Sequence, residues 1–112
     1  MDCIFCMIAN GDIPSTTVYE DEVCGCFLDI NPQAPVHALV IPKAHIGSAN
    51  EIDGDNVSTV AHIFTKIPKI AEKLGLSDGY RIVSNVGENG CQSVKHLHFH
   101  LLGGKVLSDK MC

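Results

Sequence analysis

The chain has 112 residues, of which 46% are hydrophobic, which is enough for one core and too much for a disordered segment. Its formal charge of -5 excludes broad binding to nucleic acid or anionic membranes, so an anionic ligand must be held by a local site. No apolar stretch approaches the roughly 20 residues of a membrane span, and the first residues lack a secretory leader pattern. We therefore expect a cytoplasmic protein with one domain over residues 1–112, whose six cysteines are thiols or metal ligands.

The first half of the chain predicts a short helix followed by three strands. The helix is expected over residues 6–10, closed by Gly11, with Pro14 as a stop soon after. Residues 16–20 and 23–28 flank an acidic turn at Asp21 and predict a hairpin, and residues 37–41 predict a third strand bounded by two prolines. Three strands in succession favour an antiparallel meander.

The second half predicts one long helix and two further strands. Apolar residues recur at helical spacing from Val57 to Leu74, and Gly75 is placed to end the helix. Pro68 lies inside this segment, where an interior proline costs about 3 kcal/mol, so we expect a kink or a break there. Strands over 80–86 and 96–102, joined by a loop at 87–93, complete an α+β fold with a five-stranded antiparallel sheet.

The last of these strands carries three histidines at two-residue spacing. His96, His98 and His100 should share one face of the strand, while the apolar residues between them face the core. A single histidine is usually a core or surface residue with a satisfied hydrogen bond. Three polar rings on one face of a strand otherwise built for a core favour a site, which could hold a metal, a nucleophile with its acid-base helper, or a phosphate.

The loop before this strand supplies groups that suit an anion. Gly87 and Gly90 permit tight turns with exposed main-chain N–H groups, while Gln92 and Ser93 add an amide and a hydroxyl. A neutral histidine can attack phosphorus with one ring nitrogen while the other nitrogen donates its hydrogen to a fixed acceptor. Neighbouring imidazole and serine groups could then stabilise the phosphoryl oxygens and pass a proton to the leaving group.

A second pattern lies at the N-terminus, where Cys3 and Cys6 have C-x-x-C spacing. Two such thiolates can hold a metal ion if two further ligands come from elsewhere. The same spacing is compatible with redox chemistry, or with chance in a cysteine-rich chain.

The run from Gln92 to Leu102 resembles the signature of the histidine triad (HIT) family, H-φ-H-φ-H-φ-φ with φ apolar, preceded by its Gln-Ser pair. Residues 27–37, 40–45 and 79–81 and Asn85 are similar to the family's other characteristic stretches, so the resemblance covers nearly the whole chain, from Cys3 to about Gly104. The pattern is that of the Hint branch. This resemblance implies a homodimer in which the two sheets form one continuous sheet, and hydrolysis of purine nucleoside phosphoramidates through a nucleotidyl-histidine intermediate on His98.

The resemblance also implies roles for individual residues. The implied catalytic residues are His98, His100, His96, His37 and Ser93. The implied nucleotide-binding residues are Phe5, Ile8, Phe27, Asp29, Ile30, Asn85, Gln92, Ser93, His98 and His100, with Asp29 on the ribose hydroxyls and the apolar residues around the base. Without the resemblance, Phe5, Ile8 and Phe27 would be assigned to the core. The implied ligands of a structural zinc ion are Cys3, Cys6, His45 and His96, a Cys2His2 set.

Two features depart from the family. Cys91 stands where the family usually has a small residue, often glycine, and the tail over 105–112 differs from that of the Hint branch. Two other functions stay open: hydrolysis of dinucleoside polyphosphates, and a zinc-stabilised module that binds a purine nucleotide with negligible turnover. A redox protein would require Cys3 and Cys6 to be free of metal.

Overall fold

The computed structural model describes residues 3–111, so residues 1, 2 and 112 of the predicted domain lie outside it. The helices are α1 (Ile4–Ala9) and α2 (Val57–Lys73), with one 3₁₀ turn at Ala49–Glu51. The strands are β1 (Thr17–Glu20), β2 (Cys24–Leu28), β3 (Val36–Pro42), β4 (Tyr80–Val83) and β5 (Phe99–Gly103). They form one antiparallel sheet in the order β1-β2-β3-β5-β4. The predicted α+β fold, with five strands, one long helix and a short N-terminal helix, is confirmed. Among residues 3–111 we find no helix both long and apolar enough to cross a membrane.

The two faces of the sheet bury two different hydrophobic clusters. One face packs against α2 and contains Cys24, Cys26, Ala38, Val40, Leu97, Phe99 and Leu101, together with Ile63, Ile67 and Ile70 of the helix. The other face carries Phe27, Leu39 and Ile41 and is covered by Phe5 of α1. The alternation follows from the two-residue period of a strand, which sends Ala38 and Val40 to one side and Leu39 and Ile41 to the other.

The long helix runs without interruption through Pro68, so the predicted break is wrong. Ile63, Ile67, Ile70 and Ala71 are buried on both sides of the proline, and this burial outweighs the missing hydrogen bond. The helix ends at Lys73, and Gly75 terminates it as predicted, just beyond the C-cap and with a φ of +75°. The N–H groups of Gly75 and Leu76 donate to the carbonyls of Glu72 and Ala71, the pattern of a Schellman cap.

Helix α1 begins earlier than predicted. It spans Ile4–Ala9 rather than residues 6–10, because the Cys3 thiol sulfur caps it by accepting the N–H of Cys6 at 3.3 Å. A cysteine is not among the usual N-cap residues, so the sequence pattern carried no signal for this start.

Strands β4 and β5 are shorter than the predicted 80–86 and 96–102. The backbone of residues 96–98 bonds to groups outside the ladder. The ring of His98 donates to the His96 carbonyl, the Ser84 hydroxyl donates to the His98 carbonyl at 2.8 Å, and the Leu97 N–H donates to the Ile46 carbonyl. The ladder therefore starts at Phe99, and the two histidines before it are held by side chains.

Candidate active site and metal centre

The three histidines of the triad lie on the side of the sheet that faces α1, but they have different surroundings. His96 is fully buried beside Cys3 and Cys6. His98 is 3% exposed, and His98 and His100 line an open cavity with their ring centroids 5.0 Å apart. The predicted sharing of one face is confirmed, with Leu97, Phe99 and Leu101 in the opposite cluster.

The cavity has a volume of about 590 Å³ and lies between α1 and the C-terminal end of β2. Eight of the ten predicted nucleotide-binding residues line it, namely Phe5, Ile8, Phe27, Asp29, Ile30, Ser93, His98 and His100. Its apolar wall also contains Ile4, Ile13, Pro14, Leu28, Leu39 and Val94, which sequence reasoning did not single out because they look like ordinary core residues. A volume of this size matches the range of small-molecule sites.

The hydrogen bonding of His98 determines which of its nitrogens carries the hydrogen. Its Nδ1 lies 2.6 Å from the carbonyl oxygen of His96, and a carbonyl can only accept. Nδ1 of His98 therefore carries the hydrogen, and Nε2 keeps its lone pair. The Phe5 ring packs edge-on against His98, with centroids 5.0 Å apart at 87°, which restricts rotation of the imidazole.

His100 forms a pair with His37, which comes from the neighbouring strand β3. The His37 Nε2 and the His100 Nδ1 are 2.8 Å apart, and the Asp29 carboxylate lies 3.4 Å from the same His37 nitrogen. Burial lowers the pKa of His100 to about 4, with a further contribution from His98 and His37. Burial also lowers the pKa of His37, although Asp29 opposes this. Both rings are therefore neutral at physiological pH, and the contact between them is a hydrogen bond between two neutral imidazoles.

The side-chain amides of Gln92 and Asn85 bond to main-chain groups of the protein. The Gln92 amide donates to the carbonyls of Gly47 and Val94 and accepts the N–H of Gly87. The Asn85 amide donates to the Gly90 carbonyl at 2.7 Å. The structure does not bring either amide to the cavity wall. Each instead stabilises the loop that presents Ser93, which does line the cavity.

The same loop contains a backbone conformation that favours glycine. Cys91 has a φ of 61°, in the left-handed region, which costs a β-carbon-bearing residue roughly 1 to 2 kcal/mol. The departure from the family at Cys91 therefore introduces backbone strain in this loop. Gly90 is required for a different reason, because a Cβ there would lie 2.3 Å from the Val86 carbonyl oxygen.

The four predicted metal ligands converge at the other end of α1. The Nδ1 of His96 lies 3.2 Å from the Cys3 sulfur and 3.4 Å from the Cys6 sulfur. The Nδ1 of His45 lies 3.3 Å from the Cys6 sulfur and 3.2 Å from the Nδ1 of His96. The Cys2His2 set predicted from the sequence is thus brought together in space.

The geometry of this cluster fits a tetrahedral zinc ion. Zinc bonds of the usual length place neighbouring ligand atoms about 3.3 to 3.8 Å apart, close to the observed separations. The Nε2 of His96 lies 2.8 Å from the Pro42 carbonyl and must donate to it, which leaves the Nδ1 lone pair facing the two sulfurs. Burial raises the pKa of the Cys6 thiol, and the neighbouring Cys3 raises it further, so a cation is needed to hold Cys6 as a thiolate. The donor set thus fits zinc.

A second group of potential ligands, Asp21, Cys24 and His62, is explained by hydrogen bonds. The Asp21 carboxylate accepts from Tyr19 and His62, both at 2.7 Å, and from the main-chain N–H groups of Val23 and Cys24. Burial would raise the pKa of Asp21, but these donors hold it below its usual range. The network joins the β1–β2 turn to α2 and accounts for His62 as a structural residue.

The fold, the triad and the Cys/His cluster define a histidine triad protein, and comparison with known proteins agrees. The HIT domain matches residues 10–107. The chain is 45% identical over 107 residues to the 14 kDa zinc-binding protein of Zea mays, covering 94% of this chain and 84% of that protein. A histidine triad protein from Clostridium difficile superposes with a TM-score of 0.94 and 50% identity, covering 98% of this chain and 96% of the other. A HIT family hydrolase from Legionella pneumophila gives a TM-score of 0.92 and 46% identity over 96% of both chains. The chain belongs to the HIT domain family.

Proposed function

We propose that this chain is a hydrolase that cleaves the phosphorus–nitrogen bond of purine nucleoside phosphoramidates through a nucleotidyl intermediate on His98. The observation that carries the proposal is the hydrogen bond from the His98 Nδ1 to the His96 carbonyl, at 2.6 Å. It leaves a lone pair on the Nε2 of a buried histidine that lines a cavity wide enough for a nucleotide. The Legionella relative named as a HIT family hydrolase supports the reaction class.

In the first step, the Nε2 of His98 attacks phosphorus and the bond to the leaving amine breaks. The Nδ1–H stays on His98, and the positive charge that develops on the ring is stabilised by the His96 carbonyl. The leaving amine gains a proton from the hydroxyl of Ser93, which lines the cavity and is exposed to solvent that can return the proton. His100 donates to a phosphoryl oxygen.

In the second step, water attacks phosphorus and the bond to His98 breaks. The nucleoside monophosphate leaves, the proton of the attacking water passes to solvent, and His98 returns to its neutral form with the hydrogen still on Nδ1. Neither step requires a metal ion.

The substrate class follows from the cavity wall. Phe5, Ile8 and Phe27 offer an apolar slot for a flat base, and Ile30, which is 92% exposed at the mouth, can cover it. The Asp29 carboxylate lines the same cavity, where the remaining lone pairs of its oxygens can accept from ribose hydroxyls.

The proposed zinc ion would be structural, with all four positions filled by Cys3, Cys6, His45 and His96. The zinc-binding relative from Zea mays supports this assignment. The metal would fix α1 against the triad, because Cys6 lies in α1 and Cys3 caps it, while Phe5 of the same helix packs against His98.

We also propose that the chain is a single domain that pairs with a second copy to form one continuous sheet. Strand β4 is one edge of the sheet, and its unpaired main-chain groups can extend the ladder. Sedimentation equilibrium should therefore give twice the 12.0 kDa chain mass at micromolar concentration. A monomer at that concentration would contradict the pairing.

Turnover with matched substrates tests the proposed reaction. Purified protein should release a nucleoside monophosphate and free amine from a nucleoside 5′-phosphoramidate, and should act on a dinucleoside polyphosphate at least about tenfold more slowly by kcat/KM. The reverse order would favour the polyphosphate hydrolase. Tight nucleotide binding without turnover of either substrate would favour a binding module.

A further inference from the structure

The turn between β2 and β3 brings a main-chain N–H group to the ring of His37. The Gln33 N–H donates to the Nδ1 of His37 at 3.0 Å. Asp29 holds the turn closed, because its carboxylate accepts the Asn31 N–H at 2.8 Å and its own N–H donates to the His37 carbonyl. The Gln33 side chain is exposed, so the main-chain group is the part of this residue that reaches the site.

An N–H group can only donate, and this determines the state of His37. The Nδ1 of His37 must accept and therefore carries a lone pair. Both the doubly protonated ring and the tautomer with hydrogen on Nδ1 would place two hydrogens face to face. The single hydrogen of His37 is therefore on Nε2.

The hydrogen on the Nε2 of His37 in turn determines the tautomer of His100. The His37 Nε2–H points to the Nδ1 of His100 at 2.8 Å, so that nitrogen must accept. The hydrogen of neutral His100 is therefore on its own Nε2, which is the nitrogen left for a ligand in the cavity.

We propose that the main-chain N–H of Gln33 is a positioning group that sets the tautomer of His100 through His37. This inference rests on the proposed function and adds a division of labour to it. His98, hydrogen-bonded at Nδ1 to a carbonyl, presents a lone pair on Nε2. His100, hydrogen-bonded at Nδ1 to a donor, presents an N–H on Nε2. One imidazole is thereby ready to attack phosphorus, and its neighbour is ready to hold the phosphoryl oxygen but not to act as a base.

Nuclear magnetic resonance tests the assignment on the intact, metal-loaded chain. Long-range ¹H–¹⁵N correlation spectra distinguish the two neutral tautomers and the imidazolium form. At neutral pH we expect hydrogen on Nε2 for His37 and His100, and on Nδ1 for His98 as an internal reference. Hydrogen on Nδ1 of His37, alone or together with Nε2, would overturn the proposal. This readout needs no substrate, so the expected tautomers in a protein without phosphoramidate turnover would overturn only the proposed function.

A pair of variants tests the effect on catalysis. Gln33→Pro removes the N–H, and Gln33→Ala keeps it while removing the exposed side chain. For Gln33→Pro we expect kcat to fall by about tenfold or more with KM within about twofold, and mixed tautomers at His37 and His100, whereas Gln33→Ala should match the parent. A folded Gln33→Pro protein with parental kcat and parental tautomers would contradict the proposal. If Gln33→Pro does not fold, the spectrum of the parent chain decides.

Discussion

Replacing His98 with alanine should reduce the kcat for a nucleoside 5′-phosphoramidate by at least about 10³-fold, because the attacking nitrogen is removed and the remaining groups only stabilise charge. The variant should still bind the nucleotide product, since the apolar wall and Asp29 are unchanged. Steady-state kinetics together with calorimetric titration of a nucleoside monophosphate would separate the two effects.

The control for this variant is His62→Gln. His62 is a histidine outside the cavity that pairs with Asp21, so its replacement removes an imidazole without touching the proposed machinery. It should keep parental kcat and KM. Since His98 is buried, His98→Asn is a second variant that keeps more of the side-chain volume, and it should be equally inactive. Parental turnover by either folded His98 variant would refute the assignment of the nucleophile.

Removing the metal ligands should have the largest effect on stability. Purified protein should contain about one zinc per chain, and a Cys3→Ser/Cys6→Ser variant should contain almost none. We expect the variant to lose at least about 3 kcal/mol of unfolding free energy, because metal binding stabilises the folded state only. Thermal melting should fall by roughly 10 °C or more.

Removing the two cysteines should also weaken nucleotide binding in the cavity. Phe5 lies in α1, between Cys6 and the N-cap residue Cys3, and packs against the His98 ring. The carbonyl of His96 accepts the His98 Nδ1–H. Nucleotide affinity should therefore fall together with metal content. Cys91→Ser is the matched control, since it removes an exposed thiol outside the cluster and should keep its zinc. A parent protein that contains no zinc would contradict the structural role. So would a zinc-containing parent protein whose melting temperature is the same with and without a chelator.

The elements that could be predicted are those whose signal is periodic. The alternation through residues 96–101 predicted which side chains enter the core, and the helical spacing from Val57 predicted α2. Gly75 ended that helix as expected, since a glycine beyond the last apolar residue suits a left-handed cap. These patterns depend only on residues close together in the sequence, and the folded chain contains the elements that they predict.

The features that could not be predicted depend on main-chain groups brought together from distant parts of the sequence. Three main-chain groups determine which ring nitrogen carries the hydrogen: the His96 carbonyl for His98, the Pro42 carbonyl for His96 and the Gln33 N–H for His37. Every residue type has such main-chain groups, so the sequence does not indicate these roles. The β4–β5 ladder ends early for the same reason, because the Ser84 hydroxyl donates a hydrogen bond to the His98 carbonyl. Gln92 was expected at the phosphate, but its amide bonds to the main chain of Gly47, Gly87 and Val94. Most of the residues that the family resemblance implied for nucleotide binding line one cavity, and three-dimensional contacts determine the hydrogen positions of its histidines.

In the proposed reaction, His98 forms a covalent bond to phosphorus. The most direct measurement is the intact mass of the protein, quenched rapidly at alkaline pH during turnover of a nucleoside 5′-phosphoramidate, with the modified peptide then sequenced. We predict an added nucleoside monophosphoryl group on His98 that appears and decays at a rate consistent with kcat. Turnover without any covalent species, or a label on His100 or Ser93 instead, would contradict the proposed mechanism.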